Sequence, residues 1–168
     1  CFTYGAWFAI QGLLAAGDTA QSDAIVRGCD FLLSIQKSDG GWGESYKSCV
    51  LKSYVAHERS QVINTAWACL ALLDVIAHLP SVASSGDGVA AADDKLRHRR
   101  ATLLAAVKRG LVLLLQRQRP NGDWDQEAIS GVFNGNCMIT YTNYRNIFPM
   151  WAIGRYVQWC RDHPADAK

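Results

Sequence analysis

The chain has 168 residues, of which 49% are hydrophobic, with a mean hydropathy of −0.03 and a formal net charge of +2. This length allows one domain with a real core, and the composition is typical of a globular protein rather than a disordered one. The small net charge argues against a nucleic acid or an acidic surface as a partner. No uninterrupted apolar run reaches the ~18 residues needed to cross a bilayer.

The cysteines and histidines predict neither a metal site nor a cofactor. The six cysteines are scattered without a C-x-x-C pair, and the four histidines stand at no ligand spacing from them. Three cysteines fall in apolar helical stretches, where a free thiol behaves as a small hydrophobe. We therefore expect reduced thiols in a cytosol-facing protein rather than a disulfide framework. The six are Cys1, Cys29, Cys49, Cys69, Cys137 and Cys160.

The chain opens on an aromatic-rich segment, CFTYGAWFAIQGLL, rather than on Met or a secretory signal peptide, which indicates a piece of a longer protein. Apolar periodicity predicts an almost entirely helical chain, and no period-two segment of useful length appears. Glycine and proline residues after the second and fourth predicted helices indicate where those helices end. Small polar residues over 80–94 predict a flexible surface loop. The predicted helices cover residues 4–16, 22–36, 61–78, 99–118 and 145–161.

One pattern occurs twice. QKSDGGW (36–42) and QRPNGDW (118–124) both read Gln, three variable residues, Gly, any residue, Trp; we call them the first and second Gln-Trp turns. Each follows a helix with a polar side and precedes a helix that is apolar nearly all round, which must be buried on every side. Recurring two-helix units bury a core by stacking. The sequence therefore predicts an all-α fold: part of an α/α barrel with polar-sided helices outside and apolar ones inside.

The repeated residues have a structural interpretation. A glutamine amide near a helix C-terminus can donate to carbonyls that lack partners there, Gly40 allows the chain to reverse, and the tryptophan can fold over the amide. We therefore predict structural roles for Gln36, Gln118 and Trp124. Residues 131–149 form a second candidate site, rich in aromatic side chains and with Arg145 as its one charge. Such rings are either core or a surface that stabilises a cation.

Three segments carry a family resemblance. SDGGWGESYKSC, QVINTAWACLALL and NGDWDQEAISGVFNGNCMITYTNYRNIFPMWAIGRY resemble the C-terminal part of the oxidosqualene cyclases, within the terpene cyclases that have QW motifs. The resemblance implies a protein several times longer that cyclises (3S)-2,3-oxidosqualene to a tetracyclic sterol without metal or organic cofactor. The family's proton donor is the middle Asp of a D-C-T-A-E motif. That motif is absent here, so we expect the donor upstream of residue 1 and no cyclase activity from these 168 residues alone.

The resemblance also implies roles for single residues. Cys1 matches the cysteine that hydrogen-bonds the catalytic Asp, although a thiol is only a weak donor. Trp42 matches a tryptophan lining the cavity near the later rings, and Phe133 an aromatic residue against the cations of the B/C ring stage. Tyr141 and Tyr144 match the tyrosine pair near the start of the cascade.

Other interpretations remain open at this point. A squalene–hopene cyclase would share the fold, although GVFNGNC and Cys1 favour the epoxide branch. Protein prenyltransferase β subunits share the barrel but need a zinc site that the sequence does not supply. A non-catalytic barrel fragment could bind hydrophobic ligands. The resemblance further implies a monotopic location on endoplasmic-reticulum membranes or lipid droplets, with the membrane surface contacted by upstream parts.

Overall fold

The computed structural model describes residues 1–80, 90–133 and 137–164, with the side chains of 90–93 and 133 excepted. Its two short strands pair antiparallel, with Gly131 opposite Ile139 and Phe133 opposite Cys137. In chain order the elements are α1 (Phe2–Ala15), α2 (Asp23–Ser34), α3 (Lys47–Leu51), α4 (Val62–His78), α5 (Ala90–Gln116), β1 (Gly131–Phe133), β2 (Cys137–Ile139) and α6 (Tyr144–Asp162).

All five predicted helices are present, and the all-α class is confirmed. The prediction missed α3 and the hairpin, because elements of five and three residues are too short for a periodic signal. It was also wrong for residues 90–94, which are helical because α5 begins at Ala90. Alanines are strong helix formers, and the aspartates after them favour a helix N-terminus. The rest of the predicted loop, 81–89, lies outside the described residues.

Two layers of helices form the core. α4 lies between α1 and α6, and these three helices form the inner layer. α2 and α5, which precede the two Gln-Trp turns, pack on α4 from the other side as the outer layer. α4 is buried continuously from Val62 to Ile76, and each of its large apolar side chains contributes about 1.5–3 kcal/mol of burial free energy. This is the arrangement predicted for stacked two-helix units. None of the helices in the described residues is long and apolar enough to cross a membrane.

The thiol prediction is correct for some cysteines and wrong for one pair. Cys29 and Cys69 are free and buried, and burial raises the pKa of the Cys29 thiol to about 11. Cys1 and Cys49, however, form a disulfide with a Cα–Cα distance of 5.8 Å, which is ordinary for such a bridge. The two residues are 48 positions apart, and only the packing of α3 near the start of α1 brings them together.

Candidate active-site cleft

The first Gln-Trp turn is held by its own side chains. Gln36 Nε2 donates to the carbonyls of Gly40 at 2.8 Å and of Ala106 in α5 at 2.9 Å. The indole Nε1 of Trp42 donates to the Leu32 carbonyl at 2.7 Å. The indole, rather than the amide that the sequence suggested, therefore satisfies a terminal carbonyl of the preceding helix. The amide instead joins the turn to the next outer helix.

The second Gln-Trp turn repeats this geometry. Gln118 Nε2 donates to the Gly122 carbonyl at 3.0 Å, and Trp124 Nε1 donates to the Leu114 carbonyl at 2.9 Å. Gly122 has a φ of 86°, like Gly40 with 88° in the first turn; both values lie where only glycine is comfortable. The two turns thus share one backbone conformation and one pair of side-chain bonds.

Trp42, the tryptophan of the first Gln-Trp turn, lies in the core, and its role at the substrate cavity remains a prediction. Its side chain is fully buried between α4 and α5, and its backbone N–H donates to Thr65 Oγ1 at 3.0 Å. A Cβ built on Gly110 would be only 2.9 Å from the indole ring, so the ring rests directly on the α5 backbone. The structure does not bring Trp42 to the cleft described next.

An open cleft of about 160 Å³ lies where the N-terminal turns of the inner helices approach the hairpin. Four aromatic side chains dominate its wall: Tyr4 from α1, Trp67 from α4, Tyr144 from α6, and Tyr141 just before α6. We call this the aromatic cleft. Its lining residues are Cys1, Tyr4, Trp67, Ser130, Gly131, Val132, Tyr141 and Tyr144.

The four rings form a continuous surface. Tyr141 and Tyr144 are stacked, with centroids 4.5 Å apart and planes at 20°. Trp67 makes edge contacts with Tyr144 at 6.2 Å and with Tyr4 at 4.9 Å. Behind them the buried Phe148 lies 4.9 Å from Tyr144. Such offset and edge-to-face pairs fix ring orientation beyond what apolar burial alone does.

The cleft is uncharged but electron-rich. None of the residues that line it in the described part of the chain is acidic or basic. Burial raises the pKa of the Tyr4 hydroxyl, and the nearby Tyr144 and Tyr141 raise it further, so the Tyr4 hydroxyl stays neutral near pH 7. Neutral aromatic faces attract a cation through the ring quadrupole. No group of three or more His, Cys, Asp or Glu within the described ranges could hold a metal ion.

The predicted site residues are thus only partly assembled. Tyr141 and Tyr144 come together, as their spacing in one segment allows. Cys1 lines the cleft with its sulfur bonded to that of Cys49, and its role beside the catalytic Asp remains a prediction. Phe133 ends β1, and its side chain lies outside the described residues.

Sequence reasoning missed two cleft residues, Tyr4 and Trp67. Tyr4 belongs to the aromatic-rich opening segment, and Trp67 lies in QVINTAWACLALL, one of the three segments that carry the family resemblance. Aromatic content near the start of each inner helix was the one signal that could have found them.

The chain matches known proteins over nearly its whole length. The family model described as "Squalene-hopene cyclase C-terminal domain" matches residues 1–158. The chain is 45% identical to lanosterol synthase of Mus musculus over 160 residues, covering 93% of the chain and 19% of the mouse protein. It is 50% identical to cycloartenol synthase of Dictyostelium discoideum over 158 residues, covering 94% and 19%. The chain therefore spans about a fifth of the length of these relatives, and it belongs to the squalene-hopene cyclase C-terminal domain family.

Proposed function

We propose that this chain is the C-terminal part of an oxidosqualene cyclase, an enzyme that converts (3S)-2,3-oxidosqualene to a tetracyclic sterol. The observation that carries the proposal is the aromatic cleft, in which four rings meet and no lining residue is charged. A carbocation needs stabilisation without a nucleophile, because an anionic or hydroxide group would capture it. Aromatic faces supply that stabilisation.

The reaction is an isomerisation, so no co-reactant is needed. A carboxylic acid in another part of the enzyme protonates the epoxide oxygen, the C–O bond opens, and the positive charge moves through ring closures and shifts until a proton is lost. The residues of this chain act on the moving charge. A desolvated cation–π contact is worth about 2 kcal/mol, and about 1.4 kcal/mol is tenfold in rate, so a few rings can decide which closure occurs.

The cleft residues have distinct parts in this scheme. The stacked Tyr141 and Tyr144 present one ring face and two hydroxyls, and we assign them to the early cations near the acid. Tyr4 and Trp67 complete the wall, and their contacts with Tyr144 keep the rings in place. Phe133 at the end of β1 is assigned to a later cation, by resemblance to the family.

The setting of the whole enzyme is also part of the proposal. The substrate dissolves in membranes, so we place the enzyme on the surface of endoplasmic-reticulum membranes or lipid droplets. The contact with the membrane is assigned to regions outside this chain.

The test is a direct assay. The full-length protein that contains this chain is purified in detergent and incubated separately with (3S)-2,3-oxidosqualene and with squalene, and products are identified by gas chromatography with mass spectrometry. We expect a tetracyclic sterol from the epoxide and no product from squalene. Conversion of squalene, or of neither compound, would contradict the proposal.

A further inference from the structure

The N-terminal turns of two inner helices are each held by a glutamate that follows a Gln-Trp turn. Glu44 accepts hydrogen bonds from the backbone N–H groups of Phe2 and Thr3, both at 2.8 Å, at the start of α1. Burial alone raises the pKa of the Glu44 carboxyl, but the hydrogen bonds from these two N–H groups hold the pKa below its usual value. A carboxylate at a helix N-terminus is favoured by the unpaired N–H groups and the helix dipole.

The second glutamate makes the equivalent contact one unit further on. Glu127 Oε2 accepts a hydrogen bond from the Val62 N–H at 2.6 Å, at the start of α4. Its other oxygen accepts from Arg117 at 3.0 Å. In each case a glutamate two or three residues after the tryptophan of one unit reaches back to the inner helix of the preceding unit.

The third inner helix is held differently, by an arginine of its own. Arg145, in the N-terminal turn of α6, donates to the Trp124 carbonyl at 2.9 Å and pairs with Asp123 at 3.1 Å. Asp123 is itself fixed, because its other carboxylate oxygen accepts the Trp124 N–H at 2.7 Å. Both side chains are about three-quarters buried, at 21% and 25% exposed. The guanidinium donates to these two acceptors through two separate nitrogens of one rigid plane, a geometry that the single ammonium nitrogen of a lysine does not reproduce.

This anchor is adjacent to the stacked tyrosines. Tyr144 directly precedes Arg145, and Tyr141 stacks on Tyr144. A Cβ built on Gly131 would lie 2.8 Å from the Tyr141 ring, so the pair is confined between the hairpin and α6. A shift of the α6 N-terminus therefore moves both rings together.

We propose that Asp123 and Arg145 are positioning residues for the aromatic cleft: they anchor the N-terminal turn of α6 to the second Gln-Trp turn and so set the place of the stacked tyrosine pair. The second turn then serves the reaction as well as the fold. This role depends on the proposed function, because the rings must be held where the cation forms. Displacements of about 1 Å can cost about a hundredfold in rate.

The experiment uses the full-length enzyme with Asp123→Asn, Arg145→Gln, the double variant, and Arg145→Lys. The matched control is the double variant Arg119→Gln, Asp125→Asn, because that ion pair lies in or beside the same turn but is at least half exposed. For each protein we measure kcat, KM, the share of incompletely cyclised products, the melting temperature, and amide hydrogen exchange over residues 137–148.

We expect Arg145→Gln to lower kcat roughly tenfold with KM within about twofold, and to raise the share of incompletely cyclised products. Asp123→Asn should have a smaller effect, because the bond to the Trp124 carbonyl remains. The double variant should be no slower than Arg145→Gln alone, since residues of one network are not additive, and Arg145→Lys should fall between wild type and Arg145→Gln. Exchange over 137–148 should accelerate, and the control pair should match wild type.

The proposal is overturned if Arg145→Gln keeps the wild-type product pattern. It is also overturned if Arg145→Gln and the control pair lose the same amount of kcat together with the same decrease in melting temperature. If the wild-type enzyme does not convert oxidosqualene, the proposed function is wrong instead. In that case amide hydrogen exchange over residues 137–148 still tests the anchoring. Exchange that is unchanged in both Asp123→Asn and Arg145→Gln would contradict it.

Discussion

Replacement of Trp42 by Phe tests how the structure places the two repeated tryptophans. The change removes an indole N–H that donates to the Leu32 carbonyl at 2.7 Å, in a side chain that is fully buried. Trp124→Phe is its matched partner, because that indole is equally buried and donates to Leu114 at 2.9 Å. The structure gives both rings the same structural role.

The expected cost has two parts. A buried carbonyl left without its donor costs about 1–3 kcal/mol. The smaller ring leaves a partial cavity, which adds about 1 kcal/mol because the residues around the ring can relax only partly. Each variant should therefore lose about 2–4 kcal/mol of stability, with similar losses for the two.

The assay compares thermal unfolding and reaction products of the two full-length variants. We expect equal decreases in melting temperature within a few degrees, and an unchanged product pattern from the enzyme that remains folded. Altered products from Trp42→Phe but not from Trp124→Phe would refute this reasoning, because Trp42 would then face the substrate, as the family resemblance suggested.

Three further changes probe separate parts of the molecule. Phe133→Leu removes an aromatic face while keeping an apolar side chain, so folding should stay near normal while prematurely terminated products increase; an unchanged profile would remove Phe133 from the cation path. Glu44→Gln should make the melting temperature less dependent on pH in the acid range. The lowered pKa of Glu44 means that its carboxylate stabilises the fold above the ordinary glutamate pKa, and this stabilisation is lost as the pH falls through the pKa of the folded state. An unaltered dependence of melting temperature on pH would contradict the role of Glu44 at the start of α1. Gly40→Ala should destabilise the fold more than Gly122→Ala. Both glycines have a positive φ, which costs an alanine roughly 1–2 kcal/mol, but only at Gly40 would the new Cβ lie 2.8 Å from the Arg109 carbonyl oxygen. Equal losses of stability in thermal unfolding would contradict that contact.

Several features of this protein follow from local patterns in its sequence. Helix positions, the all-α class and the two turns depend on periodicity, on glycines that allow reversal, and on Gln and Trp a fixed number of residues apart. The stacking of Tyr141 on Tyr144 also follows from a short segment, since the two residues are three apart. Such signals act within one or two helical turns, so one sequence suffices to recognise them.

The composition of the cleft and its supports was decided by tertiary packing. Tyr4 and Trp67 meet because α1 and α4 lie side by side, and Glu44 reaches Thr3 across 41 residues. The Cys1–Cys49 disulfide and the burial of Trp42 arise in the same way. Contacts this far apart have no period to detect, because they depend on which helix faces which. The sequence by itself therefore determined the helices and their repeat, whereas the tertiary structure decided which aromatic rings share one surface and which residues hold them there.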